Sequence, residues 1–598
     1  MDTNNIKWLD HLEEAIPHEG YGNRLSMYLI ALEAWRRGIT VNFFTIDNPE
    51  NKLLIRYSLE FNGRVHRFES SMGDMLSKEA YDVCDYKDLT KKYLSDAGVK
   101  VPKGEVFSTS ASEAEILEFA NSLSFPIVVK PLNENAGKGV FSNVYSEQNL
   151  LDVVDYLKTE LGYRHIIIEE FISGNEYRML TVDGKLVGAV NRVPANIVGN
   201  GKDSIETLIR VKNRSKSNNP AISKKRIQLD KEVLHEIERK GYTKDSVLEN
   251  GEQLFLRAKS NISAGGDPVD ITDDISEEMK SIAEEATKAI PGLKLAGLDF
   301  IVDPETKVST VIEINTKPML GLHVFPIKGK ARDVVAPIID LYFPETINTE
   351  KSSLFFDFND KIAPLDHLTV KEVTVSPLEK ANVGCSREFI IEQEKNQGNL
   401  LKETRLQALK LGVHGFIKKV ETDRYNVVAA CENDKIMEEF KSFFYRDTEE
   451  FGILEVEEQE WHKPIKAGFT IKKETISEIE DKLKKEEKKT SRLTSKIGTL
   501  EEKLELEQSE TQKKQQEVAH LNEAIESLKR ELQELKEANV EVTLKLGETE
   551  RAFVSTKHTL TEKLETFKRE HAKLTRNYED VLNSKSWKIT KPLRRFNR

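Results

Sequence analysis

The stretch LAGLDFIVDPETKVSTVIEINTKPML, residues 295–320, reads as strand, turn, strand. Ala296 to Val302 is a short apolar run with one acid, Asp299, inside it. Asp303-Pro304-Glu305 carries turn chemistry, and Val308 to Ile314 is a second, β-branched run that contains Glu313 and ends at Asn315. In an extended strand, side chains two residues apart share a face, so Glu313 and Asn315 point the same way. If the strands pair as a hairpin, Asp299 joins them. Two carboxylates and an amide oxygen make a hard-oxygen cluster that suits Mg2+, an ion that keeps its other positions for water and nucleotide phosphates. The alternative is two acids on the polar face of an ordinary hairpin, and the surrounding chain must decide between the two.

The chain has 598 residues, too many for one hydrophobic core. Charged residues make up 32% and the mean hydropathy is -0.50, so much of the chain is solvated. A net charge of -12 argues against a general nucleic-acid binder. Cys84, Cys385 and Cys431 are scattered without CxxC or metal spacing, which fits a reducing, cytoplasmic setting. The polar N-terminus has no signal-peptide pattern, and no apolar run approaches the ~20 residues of a membrane span.

Residues 1–82 read as a small α/β unit: helical periodicity from Arg24 to Arg37, a stop at Gly38, then strand-like Thr40 to Ile46, Leu53 to Tyr57 and Arg64 to Phe68. Residues 83–345 carry the chemistry. Asp85 to Lys91 opens a helix that Gly98 stops. Pro126 to Pro131 is a buried strand ending in Lys130, followed by the small-residue loop Asn133 to Val140 with Gly137 and Gly139. A strand-end lysine beside a glycine loop is one way to hold phosphates, through charge and closing N–H groups, although this is not a GxxxxGK[ST] loop. His165 to Ile172 is another apolar strand running into Glu169 and Glu170. Met179 to Val182 and Asp183-Gly184 give a strand and a hairpin turn.

A VVKP strand, a glycine loop, an EEFISGxE hinge and a final DF…EIN pair occur here in order. That order resembles the ATP-grasp superfamily of carboxylate–amine ligases. Tyr177-Arg178-Met179-Leu180, Asn191 to Ala195, Val198 to Gly201 and Leu256 to Gly266 resemble the ligase module of cyanophycin synthetase and the bifunctional glutathione synthetases. EINTKP also resembles D-alanine–D-alanine ligase. The resemblance implies an ATP-grasp fold over about residues 85–345, with ATP and two Mg2+ ions (Mn2+ as a substitute) as cofactors. It implies that Lys87 and Lys130 bridge the α- and β-phosphates. Glu169, Glu170 and the backbone through Phe171 and Ile172 would read the adenine, and Glu176 would hold the ribose. Asn135 to Gly139 would form a lid. Arg257, with Asn261 nearby, would stabilise charge on the transferring γ-phosphoryl group, and Asp299, Glu313 and Asn315 would hold the metal. Arg178 and Arg192 are the candidates for the substrate carboxylate. Tyr86 stands where these relatives often have Asp, and Pro318-Met319 replaces the usual Pro-Gly. The basic segment Val211 to Lys225 either meets an anionic substrate or is a solvated loop.

Residues 346–365 read as a linker and 366–462 as a second compact unit. Gln407 to Lys419 with Tyr425 to Ala430 resembles an acylphosphatase-like ferredoxin fold, with Met437 to Phe444 as its second helix. Hydrolysis there needs an anion-cradling loop ending in Arg and an Asn on the next strand. The loop reads Gln397 to Lys402, and Lys419 stands at the Asn position, so an inert docking or substrate-presenting unit is expected. Residues 475–582 carry a heptad seam, with a positions including Ile497, Ile525, Leu532, Asn539 and Leu546, and d positions including Leu493, Leu528 and Leu535. This predicts an α-helical coiled coil, a rod of roughly 160 Å, with Asn539 favouring a homodimer. The basic aromatic tail, 583–598, holds Trp587, Leu593 and Phe596 among lysines and arginines, a pattern suited to an anionic membrane surface or a partner. Its SxSWxxTxPLR ending resembles that of many bacterial surface-polysaccharide enzymes.

The expected fold class is therefore α+β: an ATP-grasp domain behind an N-terminal α/β domain, then a ferredoxin-like unit and a coiled coil. The expected function is an ATP-dependent ligase that joins an acid to an amine through an acyl phosphate, acting on an amino acid, peptide or sugar acid in cell-surface polymer synthesis. Its expected location is cytoplasmic, with the inner face of the membrane as a peripheral site. An ATP-binding scaffold or length ruler of a glycan-assembly complex, and an ATP-grasp kinase, are the alternatives.

Overall fold

The computed structural model describes residues 8–47, 53–108, 110–132, 139–257, 259–378, 383–394, 399–421, 423–446, 451–473, 483–484, 486–498 and 515–583. The expected lid around Gly137, the Gln397-Gly398 loop and the tail from Ser584 lie outside the described residues. The chain divides into two compact units, Met1–Ile471 and Lys472–Arg598.

The first unit opens with α1 (Leu25–Arg36), in which every side chain is buried. A helix buried all round must find polar partners for its charges. Arg37, just past its end, lies 2.7 Å from Glu33, and Arg36 Nε donates to the Leu354 carbonyl at 2.8 Å. Strands β1 (Thr40–Asp47), β2 (Leu53–Phe61), β3 (Arg64–Glu69) and β4 (Met72–Gly73) follow as an antiparallel sheet.

Two short helices, α2 (Lys78–Asp85) and α3 (Lys87–Asp96), lead into the next layer. It comprises β5 (Gly104–Ser108), α4 (Glu113–Ser122), β6 (Ile127–Pro131), β7 (Phe141–Val144), α5 (Glu147–Asp155) and β8 (His165–Glu170), with sheet order β5-β8-β6-β7. Ile116, Ala120, Leu150 and Val153 from the two helices pack on Val129, Ile166 and Ile168. Then come β9 (Asn175–Val182), β10 (Lys185–Val193), β11 (Asn196–Val198), α6 (Ile205–Ser217), α7 (Lys231–Arg239), β12 (Gln253–Phe255), β13 (Asp267–Asp270), α8 (Glu277–Lys288), β14 (Leu295–Val302) and β15 (Ser309–Asn315). Five of these strands form a sheet of order β13-β10-β9-β14-β15. The turn at Asp183-Gly184 has positive φ at both residues (47° and 69°), as a tight hairpin between β9 and β10 requires.

After α9 (Gly321–Val324) and α10 (Ala336–Tyr342), the expected linker is instead structured. It holds β16 (Leu354–Phe355) and α11 (Phe358–Asp366), and β17 (Glu372–Val375) returns to pair with β1. Phe356, Phe358, Ile362 and Leu365 are all buried in the core that surrounds α1. Their helical spacing gives the segment an apolar face, and a segment with such a face cannot remain a solvated tether.

The third layer begins at β18 (Cys385–Gln393) and continues through α12 (Leu400–Leu411), β19 (His414–Lys419), β20 (Arg424–Cys431), α13 (Asp434–Arg446), β21 (Ile453–Glu460), β22 (Ile465–Lys466) and β23 (Phe469–Lys472). The element order βαββαβ and the sheet order β21-β18-β20-β19 are those of a ferredoxin-like unit, extended by β23. Val428, Ala430, Phe416 and Trp461 on its open face join the α1 core, so this layer is welded to the N-terminal one.

The second unit contains α14 (486–498) and α15 (Gln515–Asn583). Leu493 and Ile497 pack against Leu528, Leu532 and Leu535. Along one continuous helix Ile497 and Leu532 would lie roughly 50 Å apart. The two helices therefore fold back on each other, and the expected single rod is corrected: part of the seam is used within the chain. No described helix is long and apolar enough to cross a membrane.

Candidate active site

Three strands of the central sheet set the first half of the site. Arg178 on β9 stands opposite Asp299 on β14, and Asp299 stands opposite Glu313 on β15. One row across the sheet therefore reads cation, anion, anion. Arg178 grips Asp299 through Nε and, at 3.0 Å, through Nη2; Arg192 Nη2 lies 3.2 Å from the same carboxylate and 3.0 Å from Glu176. Asp299 is buried, and its carboxyl is held below the usual range against the opposing effect of burial, by Arg178 and then Arg192. Glu313 behaves oppositely: burial and the facing Asp299 raise its pKa, with Lys87, Arg178 and Lys130 pulling the other way. No described residue donates a hydrogen bond to the Glu313 carboxylate. Gly297 lets Arg178 lie flat on β14, since a Cβ there would sit 3.2 Å from Nη1 and 2.9 Å from Pro318.

Lysines set the second half. Lys130, at the end of β6, lies 2.7 Å from Glu169 on β8, and Lys91 lies 2.6 Å from the same carboxylate. Lys87, one helical turn before Lys91 on α3, donates to the Leu132 carbonyl at 3.2 Å. Burial lowers the Lys87 and Lys91 pKa values, with Glu313 and Glu169 respectively the largest opposing influences. Two lysines on one buried glutamate leave a surplus of positive charge, and Lys130 and Lys87 both act on Glu313. Lys91 was not singled out from the sequence, although its four-residue spacing from Lys87 was visible there. Glu170 is occupied structurally, accepting from the Lys103 N–H at 2.9 Å. Phe171, 36% exposed, and the half-buried Ile172 form the connection to β9. Gly139 is described, with φ of 69°, against Pro131.

Arg257 follows β12 and is buried, gripped by Asp230 and Glu232 at the start of α7. Asn261 caps a short turn, its side chain accepting from the Ser263 N–H at 2.9 Å. Lys259 from the same loop reaches the Val140 carbonyl at 3.2 Å, tying this loop to the glycine loop after β6. The reading of Val211 to Lys225 as a substrate-facing basic segment is corrected at two positions. Lys216 turns inward to the Gly265 and Gly266 carbonyls and to Asp267, and Lys212 joins it on Asp267, so both brace the Arg257 loop.

A cavity of about 180 Å³ opens between the layers, lined by Asn23, Ser26, Ser70, Lys317, Pro318 and Met319 among others. Pro318 of its lining also packs over Gly297, beside the Arg178 guanidinium.

The donor set fits a magnesium nucleotide. Among the described residues no group of three or more His, Cys, Asp or Glu is arranged to hold a metal ion by itself. Glu313 and the Asn315 amide offer hard oxygens, Asp299 opposite Glu313 is held by Arg178 and Arg192, and the repelled Glu313 would gain from a cation beside it. Phosphates that complete such an ion's shell would meet the lysine surplus.

Residues 101–243 match the model of the prokaryotic glutathione synthetase ATP-grasp domain. Cyanophycin synthetase of Crocosphaera subtropica is 35% identical over 309 residues, covering 50% of this chain and 35% of the relative. The glutathione biosynthesis bifunctional protein of Clostridium perfringens is 34% identical over 338 residues, covering 53% and 41%. The chain spans less than half the length of the curated relatives it matches. Among solved structures, a bifunctional glutathione synthetase from Pasteurella multocida is 26% identical, with TM-score 0.39, covering 53% of this chain and 44% of that one. Residues 101–243 are thus similar to an ATP-grasp domain, and about half of the chain is similar to proteins named cyanophycin synthetase and glutathione biosynthesis bifunctional protein.

Proposed function

We propose that this chain is an ATP-dependent carboxylate–amine ligase that forms an amide through an acyl phosphate, releasing ADP and phosphate. The observation that carries the reading is the adjacency of Glu313, which stands opposite Asp299, to the Lys87 and Lys130 ammonium groups. Anionic oxygens beside a lysine cluster suit metal-bridged phosphates. Mg2+ held there would neutralise charge on the transferring phosphoryl group. Lys87 and Lys130 contact the phosphates, while Lys91 and Glu169 hold Lys130 in place. The backbone at Phe171 and Ile172 lies at the adenine end, and Glu176 serves the ribose. Arg257 leaves Asp230 and Glu232 to meet the γ-phosphoryl group, with Asn261 shaping its loop. Arg178 and Arg192 bind the substrate carboxylate beside the Lys317 cavity, whose size suits an amino acid, a peptide end or a sugar acid.

The ferredoxin-like layer is read as an inert, acylphosphatase-like docking unit. Its Lys419 lies over the Tyr425 ring at 5.6 Å, and part of its sheet is buried against the N-terminal core. The helices of the second unit are read as an oligomerisation element. A glycan-assembly setting at the inner membrane face rests on the ending at 584–598 alone.

The test is ATP turnover in hydroxylamine with panels of amino acids and uronic acids. A hydroxamate that disappears in Glu313→Gln supports the ligase and identifies the acid. ADP formation without hydroxamate for any acid would instead favour a kinase. Bound ATP without turnover would favour a scaffold.

A further inference from the structure

Two of the three cysteines, Cys385 and Cys431, are scattered in sequence but meet in space, whereas Cys84 lies apart on α2. Cys385 is the first residue of β18 and Cys431 the last of β20, and the register sets them directly opposite each other. Their sulfurs are 3.4 Å apart, and both side chains are buried, at 7% and 3% exposure. The backbone at this end of the sheet is tightly apposed. A Cβ at Gly384 would lie 2.1 Å from the Glu432 carbonyl, which fixes the approach of the two strands. Cys431 Sγ also donates to the Asn433 carbonyl at 3.3 Å, which holds its thiol beside Cys385.

Two adjacent thiols serve either a soft metal or a disulfide. A metal needs further ligands, and although Asp434 stands beside Cys385, no group of three or more His, Cys, Asp or Glu among the described residues is arranged to hold one. A disulfide needs only that the sulfurs close by a little over 1 Å to the ~2.05 Å bond, between side chains already facing each other. We propose that Cys385 and Cys431 form a reversible modification site, a thiol pair that closes into an intrachain disulfide in the presence of a small disulfide oxidant such as glutathione disulfide.

The exchange is balanced. Cys385, the more exposed of the two, loses its proton to solvent, and its thiolate attacks one sulfur of the oxidant and expels a glutathione thiolate. The Cys431 thiolate then attacks Cys385 Sγ, the new S–S bond forms, and the second glutathione leaves as thiolate. Two protein thiols are oxidised and one small disulfide is reduced to two thiols. Burial pushes the Cys431 thiol up to about 12 and raises that of Cys385, so the closure is slow at neutral pH and faster in mild alkali. The bond would staple the two central strands of the ferredoxin-like layer beside the start of α13. This inference does not depend on the ligase reading.

The full chain, fully reduced, is incubated with a glutathione disulfide/glutathione series at mildly alkaline pH, alkylated, and mapped by non-reducing peptide mass spectrometry. The expected result is one crosslinked peptide pair joining Cys385 to Cys431 within a single chain, with Cys84 still alkylated. The thermal midpoint should rise by several degrees, and a dithiol should reverse the rise. Cys385→Ser abolishes both effects and Cys84→Ser neither. Three alkylatable thiols throughout the series, a persistent glutathione adduct on Cys385, or a crosslink through Cys84 would overturn the proposal. Each is read on the wild-type chain, so the folding of a variant does not decide the outcome.

Discussion

Asp299 and Glu313 face each other across the β14–β15 pair, two carboxylates in directly opposed positions on strands that carry no other charge. Like charges so placed weaken a sheet. Glu313→Gln should therefore raise stability by roughly 0.5–1 kcal/mol in denaturant unfolding. The same variant should lower Mg2+-dependent nucleotide affinity at least tenfold and remove hydroxamate formation. Reduced stability with unchanged nucleotide binding would make Glu313 a scaffold residue.

The two arginines on Asp299 should separate. Arg178 is the main counter-ion of a buried carboxylate, and Arg178→Met should cost about 3 kcal/mol by leaving that charge with Arg192 alone. Arg192 is shared with Glu176 at 3.0 Å, so Arg192→Met should cost roughly 1 kcal/mol. Its larger effect should be a raised KM for the acid at little change in KM for ATP. Steady-state kinetics with each substrate varied in turn checks this.

Glu169 is 2% exposed and balances Lys91 and Lys130. Glu169→Leu should destabilise the nucleotide-free protein by about 3–5 kcal/mol, because the lysines then repel each other. Added MgATP should restore more of the thermal midpoint in this variant than in wild type, since phosphates replace the missing anion. Equal shifts in the two proteins would place the lysines outside the nucleotide site.

His323 is completely buried, and burial lowers its pKa to about 3. The unfolded chain takes up a proton near pH 6.5 that the folded chain refuses, so stability is full above 6.5 and falls as pH drops toward 3. Its share of the slope is about 1.4 kcal/mol per pH unit. His323→Leu should flatten the acid limb of a stability-versus-pH series by that amount, and an unchanged slope would assign the acid sensitivity to other groups.

The second unit begins at Lys472. Ending the chain after Lys473 keeps β23 and should leave the unfolding midpoint of the first unit unchanged. Analytical ultracentrifugation should show any self-association lost with α14 and α15. A midpoint lowered by more than a few degrees would show that the first unit depends on the second.

What the sequence by itself determined is local. The β14–β15 hairpin, its Asp303-Pro304 turn, the Lys130 strand, the Asp183-Gly184 turn and the helical seam of the second unit all follow from short-range periodicity and turn chemistry, which neighbouring residues dictate. The ordered motifs also marked the ATP-grasp domain. Tertiary structure decided the partners. Glu169 meets Lys91 and Lys130, and Asp299 meets Arg178 and Arg192, because separate strands and a helix converge there. Residues 346–365 fold onto α1 because Phe356 and Phe358 find a core that no local pattern locates. Ile497 turns back onto Leu532, and Cys385 meets Cys431, through register set across 46 residues. Periodicity tells which face of an element is apolar, whereas the choice of what covers that face, and of which charge answers a buried carboxylate, belongs to contacts far apart in the chain.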